Sequence, residues 1–147
     1  MTGNVGGAAI VAERYQVEPE KPLPDLDEGS AKAYAVTDLR DPTSVLYALL
    51  PDQELPLRIT AVSKLRRISN NHFLRPMAWD TVNWSPEGRR RPVIVYERPR
   101  GARVFATPKA RIEPYREEAL VRRFLQPMVS VLEDLSYSAV VHRGIRA

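Results

Sequence analysis

The sequence predicts an α+β domain, with an antiparallel sheet in its first two thirds and a long helix near its C-terminus. Three observations carry that expectation. Short segments of alternating apolar and polar residues, bounded by Pro, Gly, Asp and Ser, recur between Tyr15 and Arg98. One helical spacing interrupts them, with Ile59, Val62, Leu65 and Ile68 recurring every three residues. A longer one follows at Leu120, Val121, Phe124, Leu125, Met128, Val129, Leu132 and Leu135. Strands with turn signals followed by helices form the α+β pattern.

Composition narrows the function classes. With 44% hydrophobic and 27% charged residues, the 147-residue chain has the make-up of a folded domain rather than a disordered one. It contains no cysteine, which excludes a disulfide framework and a cysteine–metal site. No apolar run approaches the roughly 18 residues needed to span a bilayer. The stretch Gly6 to Ala12 is short, follows no Lys or Arg, and matches no signal peptide. A cytoplasmic location without membrane attachment is therefore expected. The net charge of +4 is uneven: residues 1–74 carry 8 basic and 10 acidic side chains, and residues 75–147 carry 14 and 8. The basic half could attract a polyanion or an acidic partner. Its arginines are scattered and accompany no binding motif, so a solvated surface is expected and nucleic acid is not.

Taken in order, residues 1–14 read as a flexible leader, because Gly and Ala there have little to bury. Tyr15-Gln16-Val17 alternates as a strand, after which Pro19, Pro22 and Pro24 forbid a regular central strand. Asp25 to Ser30 reads as a turn around Gly29. Ala31 to Thr37 and Ser44 to Leu50 are expected strands joined by Asp38 to Thr43. Leu57 to Ile68 is the first helix, with Arg58, Lys64, Arg66 and Arg67 on its exposed face. Asn70-Asn71-His72 is a polar turn, and His72 lacks a second His, Cys or acid at ligand spacing, so no metal site is expected. Met77 to Trp84 and Arg91 to Arg98 form a hairpin with Arg89, Arg90 and Arg91 at its tip, and Trp79 and Trp84 cover the sheet. The last helix runs from Glu117 to about Ser136. Pro127 either kinks it or stands in the first turn of a restarted helix. Val140-Val141 reads as a short extended segment.

Two stretches resemble one known family. Leu132-x-x-Leu135 followed by Val140-Val141-His142-Arg143-Gly144-Ile145-Arg146 resembles the helix and catalytic loop of eukaryotic-like protein kinases. Val93-Ile94-Val95-Tyr96-Glu97 through Gly101 to Phe105 resembles the last strand of that family's N-lobe, its hinge and the first step into the C-lobe. The spacing from Phe105 to His142-Arg143 is also close to the family's. The likeness covers Tyr15 to Arg146.

The resemblance implies a kinase-like N-lobe over 15–98, with about five antiparallel strands and one helix at 57–68. Residues 99–147 would be the hinge and the first long helix of a truncated C-lobe, so the fold would be incomplete. It also implies a nucleotide pocket bordered by Gly29, Leu50, the gatekeeper Ile94 and the first hinge residue Glu97. Each chemical group that phosphoryl transfer needs is changed. Gly29 stands alone where several glycines would cover the phosphates. Leu50 replaces the strand lysine, and Val62 or Ser63 falls where the helix glutamate would be. Gly144 replaces the aspartate in the degenerate loop His142, Arg143, Gly144, and the magnesium-binding segments would lie past Ala147. The implied function is that of a pseudokinase-like fragment without catalytic residues, metal or cofactor, which binds or regulates a protein partner. One alternative is an atypical active kinase using magnesium–ATP. Another is a basic module that binds a polyanion or acidic partner through Arg89 to Arg91.

Overall fold

The computed structural model describes residues 8–52, 57–101, 105, 107 and 109–141. They fall into two compact units. The sheet unit comprises residues 1–59 and 76–98, and the helical unit comprises 60–75 and 99–147.

The sheet unit holds six antiparallel strands: β1 (Ala9–Val11), β2 (Tyr15–Pro22), β3 (Lys32–Asp38), β4 (Leu46–Leu50), β5 (Pro76–Trp84) and β6 (Arg89–Glu97). Their order across the sheet is β1-β2-β3-β4-β6-β5. The first four are a meander, and the crossover from β4 to β5 carries the helix α1 (Ile59–Arg66). The sheet curls far enough for its two outer strands to meet, β1 packing against β5 with the Ala12 amide donating to Asp80 Oδ2 at 3.4 Å. Its inner face collects Ala9, Val11, Tyr15, Val17, Val36, Leu46, Ala48, Leu50, Ala78, Val82, Trp84, Val93 and Val95 into one core. Period-two alternation explains why these positions share a face. Trp84, only 2% exposed, lies inside with its ring edge-to-face against Tyr34 at 4.8 Å.

β1 differs from the expected flexible leader. Ala9 and Val11 are buried in the core, and the strand pairs with β2 from Ala9↔Val17 to Val11↔Tyr15. The Val11–Arg14 turn that joins the strands holds Ala12 and Glu13 at φ of 50° and 55°. Two central residues at positive φ make a type I′ turn, the hairpin connection whose twist suits adjacent strands. Without the usual Asn-Gly, its local sequence did not announce it.

In the helical unit, α1 buries Val62, and Ile68 is buried just beyond its end, whereas Arg66 and Arg67 are exposed. The C-terminal helix consists of α2 (Glu117–Leu120), a π-helical turn (Val121–Leu125) and α3 (Gln126–Tyr137). Pro127 stands in the first turn of α3. It has no N–H to give to the preceding turn, and the chain meets that loss with a wider π turn instead of a broken helix. The helix ends at Ala139, which takes a left-handed φ of 51°, while the Ala139 amide donates to Ser136 O and the Val140 amide to Leu135 O. That pair of bonds is a Schellman cap. Val140 therefore belongs to the helix terminus, rather than to the extended segment its apolar pairing with Val141 suggested.

Candidate functional site

The position expected to carry a lysine is filled by Leu50 at the end of β4, 2% exposed and part of the sheet's core. Ala48, two residues earlier, shares its face and is fully buried. β4 pairs with β6 as Leu46↔Glu97, Tyr47↔Tyr96, Ala48↔Val95 and Leu49↔Ile94. This register decides how three of the candidate pocket residues, Leu50, Ile94 and Glu97, stand to one another. Val93 and Val95 face the core with Leu50, whereas Ile94 faces the other side with Leu49, Tyr47 and Tyr96. Tyr47 stacks on Tyr96 there at 5.5 Å. Burial raises the Tyr96 hydroxyl pKa, with the Glu28 carboxylate adding to the effect. Glu97 pairs with Leu46, at the far end of β4 from Leu50, about 13 Å away along the strand. Leu50, Ile94 and Glu97 thus do not converge.

Gly29 sits in a tight turn closed by two reciprocal bonds, Glu28 N to Ala31 O at 3.1 Å and Ala31 N to Glu28 O at 3.0 Å. Its φ of 61° is the one feature there that requires glycine. Several amides around it are already engaged. Leu26 N donates to Leu23 O, Asp27 N to Pro24 O, and Ala33 N to Asp27 Oδ1 at 2.8 Å. Asp27 also pairs with Lys32 at 2.8 Å, a bond that raises the Lys32 pKa. A loop that spends most of these amides internally and carries Asp27 and Glu28 is poorly suited to an anion.

His142, Arg143 and Gly144 lie outside the described residues. Among the described residues, no group of three or more His, Cys, Asp or Glu side chains could hold a metal ion.

Two charged clusters stand out in the sheet unit. Asp38, 1% exposed at the end of β3, accepts from Arg14 Nε at 2.8 Å and Nη2 at 2.6 Å, and from the Arg40 amide at 2.9 Å. Arg14 holds the carboxyl at a pKa of about 2 against the opposing effect of burial, with the Arg40 amide helping. The guanidinium also lies 5.0 Å from the centre of the Tyr15 ring. This fork fastens the start of β2 to the end of β3, and Leu39 N reinforces it by donating to Arg14 O at 3.0 Å. It is a structural clasp, and 24 residues of separation hid it from sequence reading.

The second cluster is the β5–β6 tip. Arg89 Nε donates to Glu87 Oε2 at 2.8 Å, and Arg91 Nη1 donates to Glu87 Oε1 at 2.6 Å. Arg91 Nη2 reaches Pro51 O at 3.0 Å, and Arg90 Nη2 reaches Thr81 O at 3.1 Å. The two neighbouring arginines, Arg89 first, depress the Glu87 pKa. Arg91 is thereby withdrawn to 11% exposure, whereas Arg89 remains 57% exposed beside Glu87.

The helical unit has a polar anchor of its own. Asn70 Nδ2 donates to Asp134 Oδ2 at 2.6 Å and to Ser130 Oγ at 3.0 Å, and Asn70 Oδ1 accepts from the His72 amide at 2.9 Å. One side chain thereby ties the loop after α1 to the last helix. Sequence reading saw only a polar turn, because the partner lies 64 residues away. No family model, curated protein or solved structure matches the chain.

Proposed function

We propose that the chain is a protein-kinase-like module without catalytic activity, which acts by binding. The layout supports this reading. Leaving β1 aside, five antiparallel strands carry one helix between the third and fourth, and a long helix follows the last strand. The resemblance places an N-lobe, its regulatory helix and the first C-lobe helix in that sequence order. The observation that carries the inactive part is Leu50. Phosphoryl transfer is catalysed almost wholly by positioning and charge stabilisation, and a buried aliphatic side chain in the core supplies neither. Val62, also buried, leaves the helix without an acid to pair with a lysine, so both halves of that ion pair are missing together.

The test is thermal unfolding with and without magnesium–ATP. A binder gains about 2.7 kcal/mol at a hundredfold excess over its dissociation constant. The expected result is no shift, with the protein partner then sought among proteins rather than nucleotides. A saturable shift would sink the inactive reading and put the atypical active kinase in its place.

One observation favours the basic interaction module as a second reading. The helical unit carries 13 basic and 5 acidic side chains, net +8, which concentrates the positive charge more sharply than the two halves of the sequence do. Heparin affinity chromatography separates its two versions. Arg89→Ala leaves the elution salt unchanged if residues 60–75 and 99–116 carry the charge, and lowers it if the β5–β6 tip does.

A further inference from the structure

The C-terminal helix leaves a continuous apolar stripe uncovered. Leu120 is 43% exposed, Leu125 49%, Met128 39%, Val129 53% and Leu132 39%, whereas Leu135 at the end of the stripe is buried. The π turn is what makes the stripe continuous. In a regular helix Leu120 and Leu125 would diverge by roughly 140°. A π-helical turn takes in almost one residue more, so Val121–Leu125 narrows that divergence to roughly 50° and keeps Leu120 on the side of Leu125. Leu132 then follows two turns on, with Met128 and Val129 between, which is the spacing of a two-helix seam. Single-turn π segments are frequent at functional positions.

We infer that this stripe receives a second copy of the chain, its helix packed antiparallel about a two-fold axis near Met128 and Val129. The charges on the helix favour that occupant. Arg122 and Glu133 lie to either side of the axis, about 10 Å and about 7 Å away along the helix. Turning the helix end for end sets Arg122 of one copy beside Glu133 of the other, twice by symmetry. It also sets Leu125 against Leu132 and Met128 against Val129, each twice by symmetry. A self-complementary patch of this kind is what an isologous interface requires. Arg122 now pairs with Glu118 at 3.0 Å, but both side chains are more than 70% exposed. Such a pair contributes little and exchanges readily for an interfacial one. A partner of one charge sign would meet repulsion at one end of the stripe or the other. Self-pairing needs only this helix and does not depend on whether the sheet unit binds nucleotide.

Sedimentation velocity of the full chain from roughly 1 to 100 µM tests the pairing. The expected result is a concentration-dependent dimer. Leu125→Glu and Leu132→Glu should each weaken it at least about tenfold while the circular dichroism of the fold stays unchanged, because both positions are exposed. Arg122→Glu should weaken it, and adding Glu133→Arg should restore it. The absence of cysteine allows a direct check of the axis. Met128→Cys should form an interchain disulfide on mild oxidation. Tyr137→Cys, also exposed but roughly 25 Å from its counterpart, should not. A monomer throughout the range, a dimer indifferent to both Leu→Glu changes, a charge swap without rescue, or equal cross-linking at both cysteines would each overturn the assignment.

Discussion

The sheet unit and the helical unit meet the same physical demand in opposite ways. In the sheet unit the curled sheet covers its own apolar face, and thirteen residues from all six strands form one core. Among the described residues of the helical unit the buried hydrophobics are Val62, Ile68 and Leu135, and at least five large apolar side chains of the last helix remain in solvent. Charge divides along the same line, net −4 in the sheet unit and net +8 in the helical unit. A sheet that curls supplies its own second layer. A helix covers no surface but its partner's, so its stripe asks for another molecule.

The largest effect should come from Leu50→Lys. Inside the core the new ammonium has no counter-charge, and a loss of about 3–5 kcal/mol is expected in urea unfolding. Near-native stability together with new magnesium–ATP affinity would mean that Leu50 borders a pocket, and the contrast between a self-sufficient sheet and an unfinished helical unit would fail.

Next comes the Arg14–Asp38 clasp. Arg14→Met leaves a carboxylate buried without its cation, and should lower the melting temperature more than Asp38→Asn does. The pH dependence has a definite sign. The folded pKa of Asp38, about 2, lies below its ordinary value of 3.8. The clasp is therefore fully effective above pH 4 and is lost as pH falls towards 2. Acid titration should show Asp38→Asn losing less stability across that window than the parent does. Equal slopes would remove the clasp from the account.

In the helical unit Asn70→Ala should cost about 1–3 kcal/mol, because Asp134 and Ser130 lose a partner and the loop after α1 loses its anchor. Hydrogen exchange should quicken in α3 and leave the sheet unit's amides unchanged. Faster exchange in both units would mean that they unfold as one.

The smallest changes should be stabilising. Ala139→Gly and Glu13→Gly relieve side chains held at positive φ, each by about 0.5–1 kcal/mol. Ala139→Gly should raise the stability of the last helix and Glu13→Gly that of the β1–β2 hairpin, both read as shifts in melting temperature.

Much of this architecture was legible beforehand because its signals are local. Alternation placed β3 to β6 within a few residues, and the three-residue recurrence from Ile59 placed α1. β2 instead runs on from Tyr15 to Pro22 between β1 and β3, past the prolines expected to end it, with a register shift between Glu18 and Pro22 that accommodates them. β1 was missed because Ala9-Ile10-Val11 follows a Gly-rich stretch and ends in a turn without Asn or Gly. The π turn was missed because a helical wheel at 3.6 residues per turn takes the whole helix as regular, and cannot distinguish apolar from covered. The proposed pocket residues were chosen one strand at a time. Their separation follows from the β4–β6 register, which no single strand encodes.

By itself the sequence determined the element types, the missing thiols, the unequal charge and the absence of a lysine at the end of β4. These follow from side-chain chemistry and from neighbours three or four positions apart. Tertiary structure alone decided that the sheet curls until β1 meets β5, and that Arg14 clasps Asp38. It decided equally that Asn70 anchors the last helix, and that the Pro127-linked π turn aligns an exposed stripe. Each of these brings together groups distant in the chain or turns a helix by one residue, and such outcomes depend on which pairings close together in space.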